Sequence, residues 1–146
     1  MRVVRASVLL AALTVALAVP LAVLAGGSAK GAAPATFAFG RTGGNIIPFK
    51  VTIGKDGRVT TTGSGHVTLT QASTALRNGL AKLAQAEGFW TMPAFTACPG
   101  TNPDVAAHFV TVNAGGKTRT VTSHGSCKAP FEELYAVLSA SVGAGP

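Results

Sequence analysis

Acidic residues are scarce in this chain: five Asp and Glu stand against twelve Lys and Arg in 146 residues, for a formal net charge of +7. The scarcity narrows the chemistry. Asp56 falls in a hairpin turn and Glu132 and Glu133 at a helix start, where each already has a structural role, so a paired-carboxylate hydrolase is disfavoured. Cysteine is limited to Cys98 and Cys127, and neither belongs to a C-x-x-C pair. There is no H-E-x-x-H, which excludes that class of zinc protease, and no G-x-S-x-G turn. The histidines are His66, His108 and His124. Ser123-His124-Gly125-Ser126 comes nearest to a nucleophile with its base, yet no acid lies beside it to orient the imidazole, so each histidine reads as a surface or strand residue. Gly63-Ser64-Gly65 is too short for a phosphate loop. No catalytic residue, metal ligand or cofactor is assigned, and a non-enzymatic binding protein is the stronger class. An enzyme would need a pocket that gathers His108 or His124 with Asp104.

Runs of one charge are missing as well. The bases, among them Arg41, Lys50, Lys55, Arg58, Arg77, Lys82, Lys117, Arg119 and Lys128, are scattered without interleaved aromatics, which argues against nucleic-acid binding. An exported interaction domain that contacts an anionic cell-envelope component through this mildly basic surface stays open as an alternative.

What the sequence does have is a strong N-terminal address. Arg2 and Arg5 precede an apolar run from Val8 to Leu24, and the small residues that end at Ala25 complete the layout of a secretory signal peptide over residues 1–25, cleaved near Ala25 or Ala29. An uncleaved membrane anchor is the alternative, since a run of about 17 to 20 apolar residues is on the edge of spanning a bilayer; Pro20 and the small residues favour cleavage and no stable membrane insertion. The separated arginines do not form a twin-arginine signal, and no cysteine sits at the cleavage position for a lipid anchor. Residues 26–35, rich in Ala, Gly and Pro, read as a flexible leader. Loss of 25 of the 146 residues leaves 121, with ten basic and five acidic residues and a net charge of +5. That length fits one domain, over 36–142, and a monomer is expected.

In an oxidising compartment an even cysteine pair reads first as a disulfide, here Cys98 to Cys127. It would close a loop of about 30 residues and stabilise the fold by about 3 to 4 kcal/mol in the chain-entropy model. A metal site from Cys98, His108, His124 and Cys127 competes, but its spacing matches no compact zinc pattern.

The elements follow from periodicity. Thr36 to Arg41 alternates weakly and predicts a strand; Phe49, Val51 and Ile53 alternate with polar residues, and after Lys55-Asp56-Gly57 the chain resumes at Val59, predicting a hairpin that pairs Ile53 with Val59 and Val51 with Thr61. His66 to Leu69 reads as a short further strand. A helix is expected from Gln71, capped by Thr70, with a core stripe of Ala72, Ala75, Leu76, Leu80 and Leu83, a solvated face holding Arg77, Lys82 and Gln85, and a stop at Gly88. Phe89-Trp90 reads as a core plug and Ala94 to Asp104 as irregular. A second hairpin turns at Gly115-Gly116 with Val110 opposite Val121, and a second helix opens at Pro130 with Phe131, Leu134, Tyr135 and Leu138 inward. The order β-ββ-α-ββ-α predicts an α+β fold: a small antiparallel sheet of two hairpins plus an N-terminal strand, with both helices on one face.

Arg41-Thr42-Gly43-Gly44, a helix ending at Gly88-Phe89-Trp90 with Met92-Pro93 behind it, Pro103-Asp104 before the strand Phe109 to Val112, and a last helix begun by Pro130 together resemble the emfourin family. The resemblance covers about Thr36 to Val142, its sharpest motif being R-T-G-G. It implies a small inhibitor of protealysin-like, thermolysin-type metalloproteases, and hence a secreted metalloprotease as partner. On that reading Arg41, Thr42, Gly43, Gly44, Asn45, Ile46 and Ile47 form the partner-binding loop: the glycines allow close backbone approach, the isoleucines offer apolar side chains, and Pro48 limits flexibility. Against it stands an ordinary turn with Ile46 and Ile47 packed inward.

Overall fold

Apolar residues at every second position are what a sheet covered on one face requires, and the strands obey it. The computed structural model describes residues 33–145, so the expected signal peptide (residues 1–25) and most of the expected leader (residues 26–35) lie outside the described residues. The elements are β1 (Thr36–Thr42), β2 (Phe49–Ile53), β3 (Val59–Gly63), α1 (Thr74–Ala86), a 3-10 turn (Phe89–Thr91), β4 (Phe95–Ala97), β5 (Ala107–Ala114), β6 (Lys117–His124) and α2 (Ala129–Val142). One six-stranded sheet has the order β3-β2-β1-β5-β6-β4.

The fold is α+β, as the element order implies. Both hairpins form in the expected register, Ile53 opposite Val59 and Val110 opposite Val121. Gly57 takes a left-handed conformation with φ of 83° in the first turn. Between the hairpins β1 runs antiparallel to both β2 and β5, with Phe39 beside Val51 and Val110, and Phe37 beside Ile53 and Val112. These side chains meet Leu80 and Ala84 of α1 and Phe131, Leu134, Leu138 and Val142 of α2 in one core. Thr52, Thr60, Thr111 and Thr120 occupy the opposite face, where the Thr111 and Thr120 hydroxyls lie 2.8 Å apart.

The sheet is mixed rather than wholly antiparallel. Residues 95–97, expected to be irregular, form β4 and pair in parallel with β6, Phe95 beside Thr122 and Ala97 beside His124. Three residues between Pro93 and Pro99 are too few to show a period, and their strand conformation comes from the neighbour: the Thr122 amide donates to the Ala94 carbonyl at 2.9 Å and the Cys98 amide to the His124 carbonyl at 2.8 Å.

Helix α1 begins three residues later than expected, with Ser73 rather than Thr70 as its cap; the Ser73 Oγ accepts from the Leu76 amide at 3.1 Å. Residues 70–72 are held by the first hairpin instead. The Val59 amide donates to the Thr70 carbonyl at 2.9 Å, the Ala72 amide to the Gly57 carbonyl at 2.8 Å, and the Gln71 side chain to the Asp56 carbonyl at 2.7 Å. Of the expected stripe, Leu80 is buried, Leu76 and Leu83 pack partly buried against the core and Ala72 is buried just ahead of the helix, while Ala75 is exposed and Arg77 and Ala84 join the buried face. Arg77, expected in solvent, is 4% exposed and donates through Nη1 to the carbonyls of Lys55 at 2.7 Å and Gly54 at 3.3 Å.

Gly88 does end this helix, with φ of 67°, and Phe89 is buried with Trp90 edge-on at 5.9 Å between ring centroids. The His66 to Leu69 segment does not join the sheet. It clamps the end of α2, the His66 amide donating to the Gly145 carbonyl at 3.0 Å and the Thr68 amide to the Val142 carbonyl at 3.1 Å. Helix α2 opens with Pro130 in its first turn and closes on Gly143 in the left-handed conformation.

Replacement of Arg77 by Ala should destabilise the domain by about 2 to 3 kcal/mol in urea unfolding, because two carbonyls lose charge-assisted partners, whereas Lys82→Ala should stay within about 0.5 kcal/mol. Equal small effects would contradict the buried role of Arg77.

Candidate binding loop at one end of the sheet

β1 ends where β5 begins, and this register decides what surrounds the predicted loop: Arg41 lies opposite His108 and Thr42 opposite Ala107. The chain leaves the sheet through Gly43 and Gly44, with φ of 73° and 64°. Gly44 is required for two reasons. An L side chain is strained at that φ, and its Cβ would collide with the Asp104 carbonyl and come within 2.8 Å of the Ala106 amide nitrogen. This close approach lets the Asn45 amide donate to the Asp104 carbonyl at 3.1 Å.

The far end of the loop is held as well. The Ser64 hydroxyl donates to the Ile47 carbonyl at 3.0 Å, and the Ser64 amide to the Pro48 carbonyl at 3.3 Å. Between these attachments Ile46 is half-buried and Ile47 is 69% exposed. The inward-packed turn is thus not what forms at Ile47: its backbone is fixed and its side chain projects. Thr42, Gly43, Gly44 and Asn45 are also exposed.

Arg41 departs from this outward set. It continues the inward alternation of Phe37 and Phe39, and its guanidinium carbon sits 5.2 Å from the centre of the Phe49 ring. Its neighbour His108 stacks on Tyr135 of α2, with ring centroids 4.5 Å apart and planes 21° from parallel, and Tyr135 meets Phe39 edge-on at 6.0 Å. Burial lowers the His108 pKa from its usual 6.5, the Arg41 charge lowers it further, and Glu132 opposes both. Burial raises the Tyr135 pKa, against the opposing pull of Arg41 and a hydrogen bond with Ser139. The cluster joins β1, β5 and α2 directly behind the loop. Sequence reasoning left His108 as an isolated strand residue. The signal available was the alternation Phe37, Phe39, Arg41, but the partner across β5 is far away in the chain.

The segment that receives Asn45 is itself fastened. Cys98 and Cys127 form a disulfide with Cα atoms 5.6 Å apart, so neither thiol is free for the competing metal set. His124 Nε2 lies 2.8 Å from the Val105 carbonyl, and the Asp104 amide donates to Asn102 Oδ1 at 2.9 Å. His108 and His124 are thereby committed to different partners, one to Tyr135 and one to the backbone. Among the described residues, no group of three or more His, Cys, Asp or Glu converges as a metal site, and no helix is long and apolar enough to cross a membrane. Comparison of the chain with protein-family models, with curated proteins and with solved structures finds no match.

His108 should titrate below 6.5 by NMR, and Arg41→Gln should move its midpoint upward while burial keeps it from rising freely. The folded-state value is depressed, so neutral His108 contributes stability that is present above the unfolded value near 6.5 and is lost as pH falls through the folded midpoint. A midpoint above 6.5 would contradict the cluster.

Proposed function

We propose that the domain is an exported, non-enzymatic inhibitor that presents residues 42–47 to the cleft of a thermolysin-type metalloprotease, in the manner implied by its resemblance to the emfourins. The observation that carries this reading is Ile47: a large apolar side chain, 69% exposed, on a loop whose backbone is bonded on one side to Asp104 and on the other to Ser64. An inhibitor needs this combination. Ordering a flexible loop on association costs about 0.5 to 1.5 kcal/mol per rotamer-rich side chain, and a loop already ordered avoids much of that cost. An apolar residue with its backbone fixed also supplies the anchor around which a tight interface forms.

Each residue then has a distinct part. Ile47 is the anchor that enters an apolar pocket, with the half-buried Ile46 as its support. Gly43 and Gly44 keep the loop thin, so that partner backbone can approach. Arg41 does not reach the partner through the loop tip; it holds the base of the loop against Phe49. The disulfide prevents the 98–106 segment from peeling away when the loop is loaded.

Titration of a thermolysin-type protease with the purified protein should slow peptide hydrolysis at micromolar concentration. Ile47→Glu should weaken inhibition by about 100-fold, the cost of an anchor worth nearly 3 kcal/mol, with melting unchanged. No inhibition by the parent protein, or equal inhibition by both, would refute the proposal.

A further inference from the structure

β4 is the outer strand at one side of the sheet, bonded to β6 alone. The Thr122 amide donates to the Ala94 carbonyl and the Cys98 amide to the His124 carbonyl, so residues 94 and 98 turn these backbone groups toward β6. Successive residues of a strand direct their N–H and C=O to opposite sides. Those of Phe95 and Ala97 therefore point away from the sheet: two amides and two carbonyls, about 6.6 Å apart along the strand, with no partner among the described residues. Phe95 is 60% exposed and Ala97 is exposed as well. The next outward positions, Pro93 and Pro99, have no N–H, so the open stretch ends there. Cys98 follows β4 directly, and its disulfide holds this edge in place without any partner.

The residue between them, Thr96, lies beside the buried Ser123 and shares its helix side of the sheet. There it borders a hollow of about 180 Å³ whose lining includes Val121 on β6, Phe131 on α2, and Met92 and Pro93 just ahead of β4. Two hydroxyls in the wall are already committed, Ser123 to the Gly125 carbonyl at 3.0 Å and Thr91 to the Gly88 carbonyl at 2.9 Å, which leaves a chiefly apolar surface. Arg119 donates to the Met92 carbonyl and fixes that wall. Glu87 at the end of α1 and Lys128 ahead of α2 also border the hollow, and their charges are opposite. Size and chemistry then select the occupant. Pockets that take a whole small ligand run to about 300 to 1,000 Å³, so this one suits a single side chain. The opposed charges give an ion of either sign no net attraction. Unpartnered amides and carbonyls at strand spacing are matched by another main chain. A second copy of this chain meets only part of that demand: paired through its own β4 about Thr96, it brings another Thr96 to the hollow, a side chain too short and too polar to fill it.

We propose that β4 accepts an extended peptide of a partner protein as an added strand, its main chain bonded to Phe95 and Ala97 and one apolar side chain, opposite Thr96, seated in the hollow. In an antiparallel ladder the peptide residues that bond Phe95 and Ala97 are two apart, and the residue between them turns to the helix side. The flanking prolines restrict the ladder to about three residues, so recognition falls on that central side chain. The proposal rests on the β4 edge alone and is independent of the loop's action on a protease.

The test is an NMR titration of the purified protein with blocked heptapeptides that carry threonine on both sides of a central Leu, Met, Phe or Ser. At least one of the apolar peptides should shift the Phe95 and Ala97 amides at millimolar concentration and slow their hydrogen exchange, and the Ser peptide should bind about tenfold more weakly. Ala97→Pro removes an outward donor and spares the bonds to β6, so it should weaken binding about tenfold. Thr96→Lys, which sets a charge at the mouth of the hollow, should weaken it similarly, and Ile47→Glu should leave it unchanged. The amide spectrum of each variant checks its fold, and the peptide series on the parent protein stands without them. No shift at Phe95 and Ala97 with any apolar peptide, equal binding of the Ser peptide, parent-like binding by both folded edge variants, or shifts that follow protein concentration without peptide would overturn the proposal.

Discussion

The pairing of β1 with β5 is the constraint on which the rest of this structure depends. Each hairpin is local and could form from its own turn, but neither covers a core by itself. β1 joins them, placing Phe37 and Phe39 between Val51 and Ile53 on one side and Val110 and Val112 on the other. A slip of one residue would send both phenylalanines to the open face and bring Ala38 and Gly40 into the core. Because the register is fixed by this packing, the end of β1 is fixed too. Arg41 arrives opposite His108, and the chain leaves the sheet beside Asp104 and Val105.

From that point the structure works as a sequence of attachments. Tyr135 stacks on His108 and anchors α2 to the sheet behind the loop; the disulfide holds the 98–106 segment; that segment accepts the Asn45 amide; and Ser64, just past β3, holds the far side. The 43–48 segment carries little apolar burial of its own, so its order comes from these external bonds. This separation of roles suits a binding loop, whose side chains must be free for a partner while its backbone is not.

Much of the architecture was legible because it is written in local periods. The Lys55-Asp56-Gly57 and Gly115-Gly116 turns set both hairpin registers, the even cysteine count pointed to the disulfide, and Pro130 opened the last helix. What escaped was non-local. Thr70 has the chemistry of a cap, yet its carbonyl is taken by Val59 and the helix waits for Ser73. Arg77 looked solvated because no periodicity announces that two hairpin carbonyls need a donor. β4 has three residues and owes its conformation to β6. The R-T-G-G motif marks the loop that leaves β1, but the inward turn of Arg41 toward Phe49 follows only from strand alternation, and the His108–Tyr135 stack only from the β1–β5 register.

The loop is ordered by its attachments before any partner arrives. Amide hydrogen exchange at Asn45 tests it most directly, since this N–H lies on an exposed residue and its bond to the Asp104 carbonyl is the link between the two segments. Exchange should be slowed with the disulfide intact and should rise toward the free-peptide rate when Cys98 and Cys127 are reduced under conditions that leave the β1 amides protected. Free-peptide exchange at Asn45 in the oxidised protein, or protection indifferent to reduction, would contradict it.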